Sequence, residues 1–290
     1  MPINSQILIT GATGNVGMEI IQFLRSAGVP VAAAVRQPQD GLASWGAGIE
    51  KVVFDFARPD TYAKAFTGVK KLFLMRPPAI SDVKRYIYPV IDAAKAAGVE
   101  HIVFLSLMGV EDNKYVPHYK IEQYLLASGM GYTFLRPSFF MQNLSTTHRA
   151  DILEHNDLFV PAGKGKTSFI DVRDIAEVGA KALTEAGHLN RAYELSGNEA
   201  LDYYQAASIF TEVLGREITY PNPSIFHFAF RMRKRGMQWG FIGIMIALYT
   251  VARLGLAAKV TNQLENLLCK KPITLRQFVQ DYKNTWMPVV

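Results

Sequence analysis

Short apolar runs alternate with amphipathic segments of helical length through the first half of the chain. The apolar runs predict strands over 7–10, 31–35, 52–54, 71–75, 101–106 and 132–137, and the segments between them predict helices near 18–27, 60–66, 80–97 and 118–128. Strands that alternate with helices through short connections form a parallel sheet with helices on both faces. The pattern therefore predicts a doubly wound α/β fold that binds its ligands along the carboxyl ends of the strands.

The second half of the chain is less regular and mostly helical. It predicts a short strand at 169–174 that leads into a helix from about 172 to 185, a strand at 192–195, and helices near 202–214, 224–235, 240–258, 261–268 and 274–284. We assign 1–145 and 167–196 to the sheet-containing core, and 146–166 and 197–290 to a smaller, mostly helical C-terminal lobe that covers the substrate. No flexible linker separates the two, so the lobe is not predicted to be an independent domain.

A glycine-rich turn, Gly-Ala-Thr-Gly-Asn-Val-Gly at 11–17, separates the first strand from the first helix. In a dinucleotide site one glycine permits the tight turn, another lets the backbone approach the pyrophosphate, and another lets the helix pack on the strand. The helix N-terminus then favours the phosphate charge. A structural turn in another α/β fold is the alternative, but the strand before and the helix after favour a Rossmann-type NAD(P) site. The residues predicted here to bind the cofactor are Gly11, Thr13, Gly14, Asn15, Val16 and Gly17.

The residues after the second strand indicate which dinucleotide binds. Sites for NAD usually carry an Asp or Glu about 20 residues past the glycines. This chain instead has Val35-Arg36-Gln37-Pro38 and no carboxylate before Asp40. The guanidinium of Arg36 suits a 2′-phosphate, which an acid would repel. We therefore predict NADPH rather than NADH, with a solvated loop cation as the alternative role for Arg36.

Composition narrows the class of protein without identifying it. The 290 residues are 49% hydrophobic and 19% charged, as in a well-packed soluble protein, and the formal net charge of +6 would attract an anionic cofactor. The single cysteine, Cys269, excludes an internal disulfide and a Cys-rich metal site, and it fits a reducing cytoplasm. No signal peptide, metal-ligand motif or GxSxG nucleophile elbow is apparent, so we predict a cytoplasmic protein without a metal and without hydrolase chemistry.

The segment 240–258 is almost wholly apolar, which raises the question of whether it spans a membrane. Its length is near the lower limit for a bilayer span and it contains Arg253, so we predict a buried helix, with an interfacial or partner-binding helix and a true span as alternatives. Arg253 is expected near the helix end, paired with a carboxylate or carbonyl. The preceding basic residues are predicted to form a solvated helix face. They are Arg231, Arg233, Lys234 and Arg235.

Several motifs occur in the order seen in one known family. They are the glycines of 11–17, Ser106 after the fifth strand, Leu-Arg-Pro-Ser-Phe-Phe-Met-Gln-Asn at 135–143, and Phe-Ile-Asp-Val-Arg-Asp-Ile-Ala at 169–176. The chain resembles the NmrA-like, atypical short-chain dehydrogenase/reductase family over roughly residues 5–196, and more loosely through 248–255. The resemblance implies a doubly wound NAD(P) fold. The family includes NADPH-dependent reductases of quinones, azo dyes and related conjugated substrates, and also cofactor-binding redox-sensing regulators.

The catalytic pattern departs from that of ordinary short-chain dehydrogenases, which place a Tyr four residues before a Lys. No Tyr-x-x-x-Lys is present in this chain. Aligned on Ile121-Glu122, His118 falls where many NmrA-like members carry the active-site Lys, and it resembles the His-x-x-x-Glu form of the quinone-reductase branch. His118 is therefore the candidate donor on the nicotinamide side, expected to titrate near neutrality and to donate a proton or a hydrogen bond. An ordinary histidine at a helix start is the alternative.

Other candidates follow from their positions at strand ends. Ser106 is predicted to hydrogen-bond the nicotinamide ribose or substrate, or else to cap the turn, and Asn143 is predicted to face the substrate. Arg76 and Pro77 lie at the carboxyl end of the fourth strand, where the cofactor should pass. The resemblance places Asp55 against adenine, and a turn role is equally open.

Two classes of function remain open. The first is an NADPH-dependent oxidoreductase that transfers a hydride to a small conjugated acceptor, quinone-like or azo-like. An acceptor whose reduced form is a stabilised oxyanion needs less help from a protein acid, which fits the missing Tyr. The second is an NADP(H)-binding redox-sensing regulator without turnover. We predict a monomer or homodimer with no membrane span and no direct nucleic acid contact.

Overall fold

The computed structural model describes residues 6–37, 39–40, 45 and 48–287. The chain divides into two compact units. The first unit consists of the chain up to Pro137 together with Val172–Leu195. The second unit consists of Ser138–Asp171 together with the chain from Ser196 onward.

A seven-stranded parallel sheet forms the centre of the first unit. In chain order the strands of the protein are β1 Ile7–Ile9, β2 Ala32–Val35, β3 Glu50–Val53, β4 Lys71–Met75, β5 His101–Leu105, β6 Gly131–Pro137, β7 Phe139–Phe140, β8 Thr167–Ile170, β9 Arg191–Leu195 and β10 Ala200–Leu201. The large sheet has the order β3-β2-β1-β4-β5-β6-β9, and all its neighbours are parallel. The predicted doubly wound sheet is confirmed. Its strand order reverses between β1 and β4, which is where such folds bind ligands.

Most helices lie in the predicted segments, but two short helices at 142–145 and 149–155 were not predicted, and the helix predicted over 240–258 ends at 253. The helices are α1 Asn15–Ser26, α2 Tyr62–Phe66, α3 Val83–Tyr86, α4 Tyr88–Ala96, α5 Pro117–Ser128, α6 Gln142–Ser145, α7 Arg149–His155, α8 Val172–Thr184, α9 Tyr203–Leu214, α10 Ile225–Lys234, α11 Trp239–Arg253, α12 Gln263–Leu268 and α13 Leu275–Asp281. The helix predicted near 80–97 is two helices, because Pro89 in the first turn of α4 has no N–H to continue α3. Helices α1 and α8 pack against each other, while α2, α4 and α5 share a core with Leu8, Leu72 and Phe104 of the sheet.

The second unit has a small sheet of its own. Strand β8 pairs with β7 in parallel and with β10 in antiparallel fashion, giving the order β10-β8-β7. Residues 138–145 and 167–171, together with Ser196, were predicted to lie in the sheet-containing core but belong to the second unit. Strands β7 and β8 bond to each other and do not extend the large sheet. The rest of this unit is mostly helical, as predicted. Its role as a cover for the substrate stays a prediction.

Helix α11, the apolar segment for which burial was predicted, is buried on one side only. Ile242, Met245, Tyr249 and Ala252 pack into the core of the second unit. The exposed large side chains on its other side are Trp239, Phe241, Ile244, Leu248 and Val251, at 39% to 63% exposure. The prediction of a buried helix is therefore correct for one side and wrong for the other, because an apolar helix without a polar side carries no periodic signal of which side faces solvent. No described helix has both the length and the apolar character to cross a membrane.

The charged residues around α10 and α11 also differ from expectation. Arg231 donates to Asp157 at 2.8 Å and to Asp151 at 3.2 Å, and Arg235 donates to Asp151 at 2.8 Å. The Asp151 side chain is fully buried and requires such partners. Half of the basic cluster therefore faces inward, and only the rest is solvated. Arg253 does end α11, where its charge suits the helix dipole, but no described carboxylate lies within ion-pair distance of its exposed side chain.

Candidate functional site

The turn after β1 requires glycine at two positions. Gly11 has a φ of +62°, in the left-handed region that glycine adopts most readily. A Cβ at Gly11 would also lie 2.2 Å from the methyl group of Met75, at the end of β4. A Cβ at Gly17 would lie 2.4 Å from the Gly11 carbonyl oxygen. The first helix is therefore packed directly against the glycine turn.

The N-terminus of α1 presents the features of an anion site. Within the described part of the chain, no side chain caps the helix at Gly14, and its first turn contains no acidic residue. The first-turn N–H groups and the positive end of the dipole of this 12-residue helix are therefore available to a phosphate. Thr13 is exposed and Asn15 is partly exposed, whereas Val16 is buried and can contact a cofactor only through its backbone.

Thr10, which the sequence analysis did not single out, ties the glycine turn to β4. Its Oγ1 donates to the carbonyl of Phe73 at 2.9 Å and accepts from the N–H of Met75 at 2.9 Å. These bonds extend the pairing of β1 with β4 and hold Met75 against Gly11. A threonine at the end of a strand is too common for the sequence to reveal this contact.

Arg76 lies at the carboxyl end of β4 with a charge that no described carboxylate neutralises. Its Nη1 donates to the carbonyls of Pro77, Pro78 and Ile80 at 3.0, 3.2 and 2.6 Å. Its Nε is buried and has no hydrogen-bond partner among the described residues. Burial lowers the pKa of Arg76, but a guanidinium remains charged at any physiological pH. The side chain is therefore a fixed cation with a donor left for a ligand.

Ser106 follows β5 at the same edge of the sheet. Its backbone N–H donates to the carbonyl of Leu135 at 2.7 Å, which continues the pairing of β5 with β6. The side chain is 5% exposed, and its Oγ is buried with no partner in the described part of the chain. Since a buried hydroxyl without a partner is costly, this Oγ is suited to bind a ligand.

His118 stands in the first turn of α5, beside the carboxyl end of β5. Its ring centroid lies 6.1 Å from that of Phe104. Burial, together with the positive charge of Arg76, lowers the pKa of His118 to about 3. The expectation that it titrates near neutrality is therefore wrong. At physiological pH the imidazole is neutral and can donate an N–H hydrogen bond, but it has no proton to transfer as an acid.

An ion-paired cluster fixes the helix that carries His118. Arg136, near the end of β6, donates to the Glu122 carboxylate through Nε at 3.0 Å and Nη2 at 2.7 Å, and its Nη1 lies 3.1 Å from Glu111. The Glu122 side chain is 2% exposed and lies one turn beyond His118 on α5. Both residues occur in the sequence motifs, but nothing in the sequence indicates that they pair.

We expect Arg136→Met to lower the free energy of unfolding by about 3 kcal/mol, because it leaves the buried Glu122 carboxylate without its cation. Urea unfolding followed by circular dichroism measures the change. Adding Glu122→Gln should recover much of the loss, since an amide needs no counterion. The matched control is Lys70→Met, which breaks an exposed pair with Glu100 and should lower the free energy of unfolding far less. Equal losses in the two single variants would contradict the prediction.

The remaining predicted residues lie on three other segments. Arg36 follows β2, is exposed, and forms no ion pair with any residue that the structure describes. Asp55 follows β3, and its Oδ1 accepts from the N–H of Ala57 at 2.9 Å, as in a turn. Asn143 belongs to α6 in the second unit, where its carbonyl accepts from the N–H of His148. Contacts of Asp55 with adenine and of Asn143 with substrate stay predictions.

A model of the NmrA-like family matches residues 3–229. The chain belongs to the NmrA-like family. It is 32% identical to the NAD(P)H azoreductase of Xenophilus azovorans, over 94% of this chain and 96% of that protein. It is similar to the NADPH-dependent quinone oxidoreductase QOR2 of Escherichia coli, solved with NADPH, at 31% identity, a TM-score of 0.86 and coverage of 96% of this chain and 100% of that one. It is also similar to the Citrobacter sp. triphenylmethane reductase, solved with NADP(H). The identity is 28%, the TM-score is 0.84, and the match covers 95% of this chain and 99% of that one.

In this NmrA-like protein, the parallel sheet brings most of the predicted residues to one edge. The glycine turn, Arg76 and Ser106 follow β1, β4 and β5, which are neighbours in the sheet, so they meet at its carboxyl edge. His118 joins them from α5, close enough for the charge of Arg76 to act on its ring. Arg36 and Asp55 follow β2 and β3 on the other side of β1.

Proposed function

We propose that this protein is an NADPH-dependent reductase that transfers a hydride to a small conjugated acceptor, quinone-like or azo-like. The observation that carries the proposal is the uncapped N-terminus of α1, packed against Gly11 at the carboxyl edge of the sheet. The similarity to an azoreductase, a quinone oxidoreductase and a triphenylmethane reductase, each over at least nine-tenths of this chain, supports the same chemistry.

The residues present at this edge fit NADP(H). The N–H groups at the start of α1 hold the pyrophosphate, and the exposed guanidinium of Arg36 meets the 2′-phosphate. Asp55 is the contact for adenine. On the nicotinamide side, the unpaired Nε of Arg76 and the unpaired Oγ of Ser106 bind the cofactor or the acceptor. When bound, the dinucleotide supplies the hydride.

His118 acts as a neutral hydrogen-bond donor. Hydride transfer leaves the reduced acceptor with negative charge on an oxygen or nitrogen, and a positioned N–H stabilises that charge as it develops. The cation of Arg76 acts in the same direction. Because burial and the charge of Arg76 lower the pKa of His118 to about 3, we assign to this imidazole no part in supplying the proton that completes the reduction. Asn143 is proposed as a second contact to the acceptor.

Turnover separates this proposal from a regulator that only binds the cofactor. Purified protein is mixed with NADPH and a panel of benzoquinones, naphthoquinones and azo dyes, and oxidation is followed at 340 nm. We expect oxidation that saturates with acceptor and is slower with NADH. Tight binding of NADPH without turnover of any acceptor would overturn the reductase and favour a redox-sensing regulator.

Arg36→Glu should weaken NADPH binding by about 10- to 150-fold while changing NADH binding much less, because an interaction with a charged group contributes roughly 1.5–3 kcal/mol. Titration of each dinucleotide by calorimetry measures the difference. Arg191→Glu, an exposed charge reversal at the start of β9, serves as the control and should leave both affinities unchanged. Equal affinities of the native protein for NADPH and NADH would contradict the assignment.

A further inference from the structure

Helices α10 and α11 expose apolar stripes that face away from one shared core. Phe228 and Met232 of α10 are buried in the same cluster as the inner side of α11. On the opposite side of α10, Phe226 is 87% exposed and Phe230 is 70% exposed. We name the exposed side chains together the α10–α11 face. They are Phe226, Phe230, Trp239, Phe241, Ile244, Leu248 and Val251.

The α10–α11 face continues past the end of α11. Leu254 and Leu256 follow the helix directly and are 68% and 71% exposed. Scattered exposed apolar residues are ordinary on a protein surface, whereas a contiguous group of large ones marks an interaction site.

Every charged residue in the stretch 218–264 is basic. No Asp or Glu occurs between Glu217 and Glu265. The basic residues of that stretch are Arg231, Arg233, Lys234, Arg235, Arg253 and Lys259. Arg231 and Arg235 pair inward with Asp151 and Asp157. Arg233, Lys234 and Arg253 are exposed. Arg233 and Lys234 follow Phe230 by three and four residues on α10, which makes them its neighbours on the helix surface, and Arg253 directly precedes the exposed Leu254.

We propose that the α10–α11 face docks this protein on the surface of an anionic lipid bilayer. Phenylalanine, tryptophan and leucine side chains beside basic residues are the composition of helices that lie in the membrane interface. The apolar side chains enter the boundary between headgroups and acyl chains, and the bordering cations meet anionic headgroups. With 15 residues, α11 is only about 22 Å long, well short of the roughly 30 Å hydrocarbon core, so it lies on the surface and does not span it.

A second copy of the chain fits this face less well. A twofold dimer brings identical patches together, and here it would place two cationic borders near each other with no acidic residue from 218–264 between them. An acidic protein partner could match the charge but would need a surface of a shape that fits these side chains. A fluid bilayer needs no such shape.

Trp239 makes the docking directly measurable. The chain has three tryptophans, and Trp45 and Trp286 are buried while Trp239 is 63% exposed. Full-length protein is mixed with vesicles of phosphatidylcholine alone or with about 30% phosphatidylglycerol. We expect co-sedimentation that requires the anionic lipid and weakens with salt, together with a blue shift of Trp239 emission and its quenching by brominated acyl chains. Trp239→Phe should remove the spectral signal.

Variants separate the two components of docking. Phe226→Ser with Phe230→Ser should weaken partitioning at least tenfold. Arg233→Gln with Lys234→Gln should weaken binding to anionic vesicles by about five-fold for each cation removed. The matched controls are Leu189→Ser, an exposed apolar residue of the first unit, and Lys64→Gln with Lys84→Gln, two exposed cations. All the substituted side chains are exposed, so thermal unfolding and NADPH binding should be unchanged, which separates this test from that of the proposed function.

Several results would overturn the proposal. One is equal binding to the two kinds of vesicle, and another is vesicle binding that leaves Trp239 emission unchanged. A third is a dimer, detected by sedimentation equilibrium without lipid, in which Trp239 is shielded and which Phe230→Ser dissociates. That last result would assign the face to a second copy of the chain.

Discussion

Gly17→Ala is expected to weaken NADPH binding by at least about 100-fold, the scale of a misplacement of about 1 Å in a binding site. The added Cβ would lie 2.4 Å from the carbonyl oxygen of Gly11. Because both atoms are fixed to the backbone, α1 must move away from the turn, and its N–H groups move with it. Titration of NADPH by calorimetry, with circular dichroism to confirm the fold, measures the loss.

Two other glycines provide graded controls. A Cβ at Gly14 would lie 3.2 Å from the same oxygen, and its φ of −87° is ordinary, so Gly14→Ala should cost much less than Gly17→Ala. Gly243 lies in α11 with nothing near its Cβ position, and Gly243→Ala should leave NADPH binding unchanged. A folded Gly17→Ala protein that binds NADPH like the native one would show that the pyrophosphate does not bind at α1.

His118→Ala is expected to lower kcat by about 100- to 1,000-fold, as for other preorganised donors to a developing anion, with little change in NADPH affinity. The pH dependence is part of the prediction. With its pKa lowered to about 3, the ring is neutral throughout pH 5–8 and gains its proton only well below that range. The native kcat should therefore show no step near pH 6.5 that His118→Ala removes.

His118→Gln tests the role as a hydrogen-bond donor. Its amide N–H should recover part of the rate without any titrating group, which a proton-transfer role would not allow. His155→Ala, at an exposed histidine of α7, serves as the control for loss of an imidazole. A native pH profile with a step near 6.5 that both His118 variants lack would identify a protonated acid and contradict the neutral-donor mechanism.

The parallel sheet was predictable from the sequence because a strand covered on both faces is a continuous apolar run, as at Leu72–Leu74, which is fully buried. The glycine turn was predictable for a related reason. The positive φ at Gly11 and the close approach at Gly17 disfavour any residue with a side chain, so the glycines in the sequence directly indicate the tight turn.

Features set by distant residues were not predictable. Arg231 and Arg235 pair with Asp151, 80 and 84 residues away, so the local run of cations gave no sign that two of them turn inward. The pKa of His118 depends on burial and on Arg76, which only the fold brings near it. The sequence of α11 does not indicate which side of the helix faces the core, because both of its sides carry apolar residues.

The division of the chain between the two units has a consequence for synthesis. Strand β6 ends at Pro137, but its partner β9 is complete only at Leu195, after the first segment of the second unit has been made. At about 5–20 residues per second, the intervening stretch of about 58 residues takes roughly 3–12 s to translate. Throughout that interval β6 is an uncovered strand edge on the nascent chain, a template for association with other chains. Until β9 leaves the ribosome, β6 is therefore an extra exposed edge in place of the edge strand β9 of the finished sheet, and slower translation over 138–195 lengthens that period.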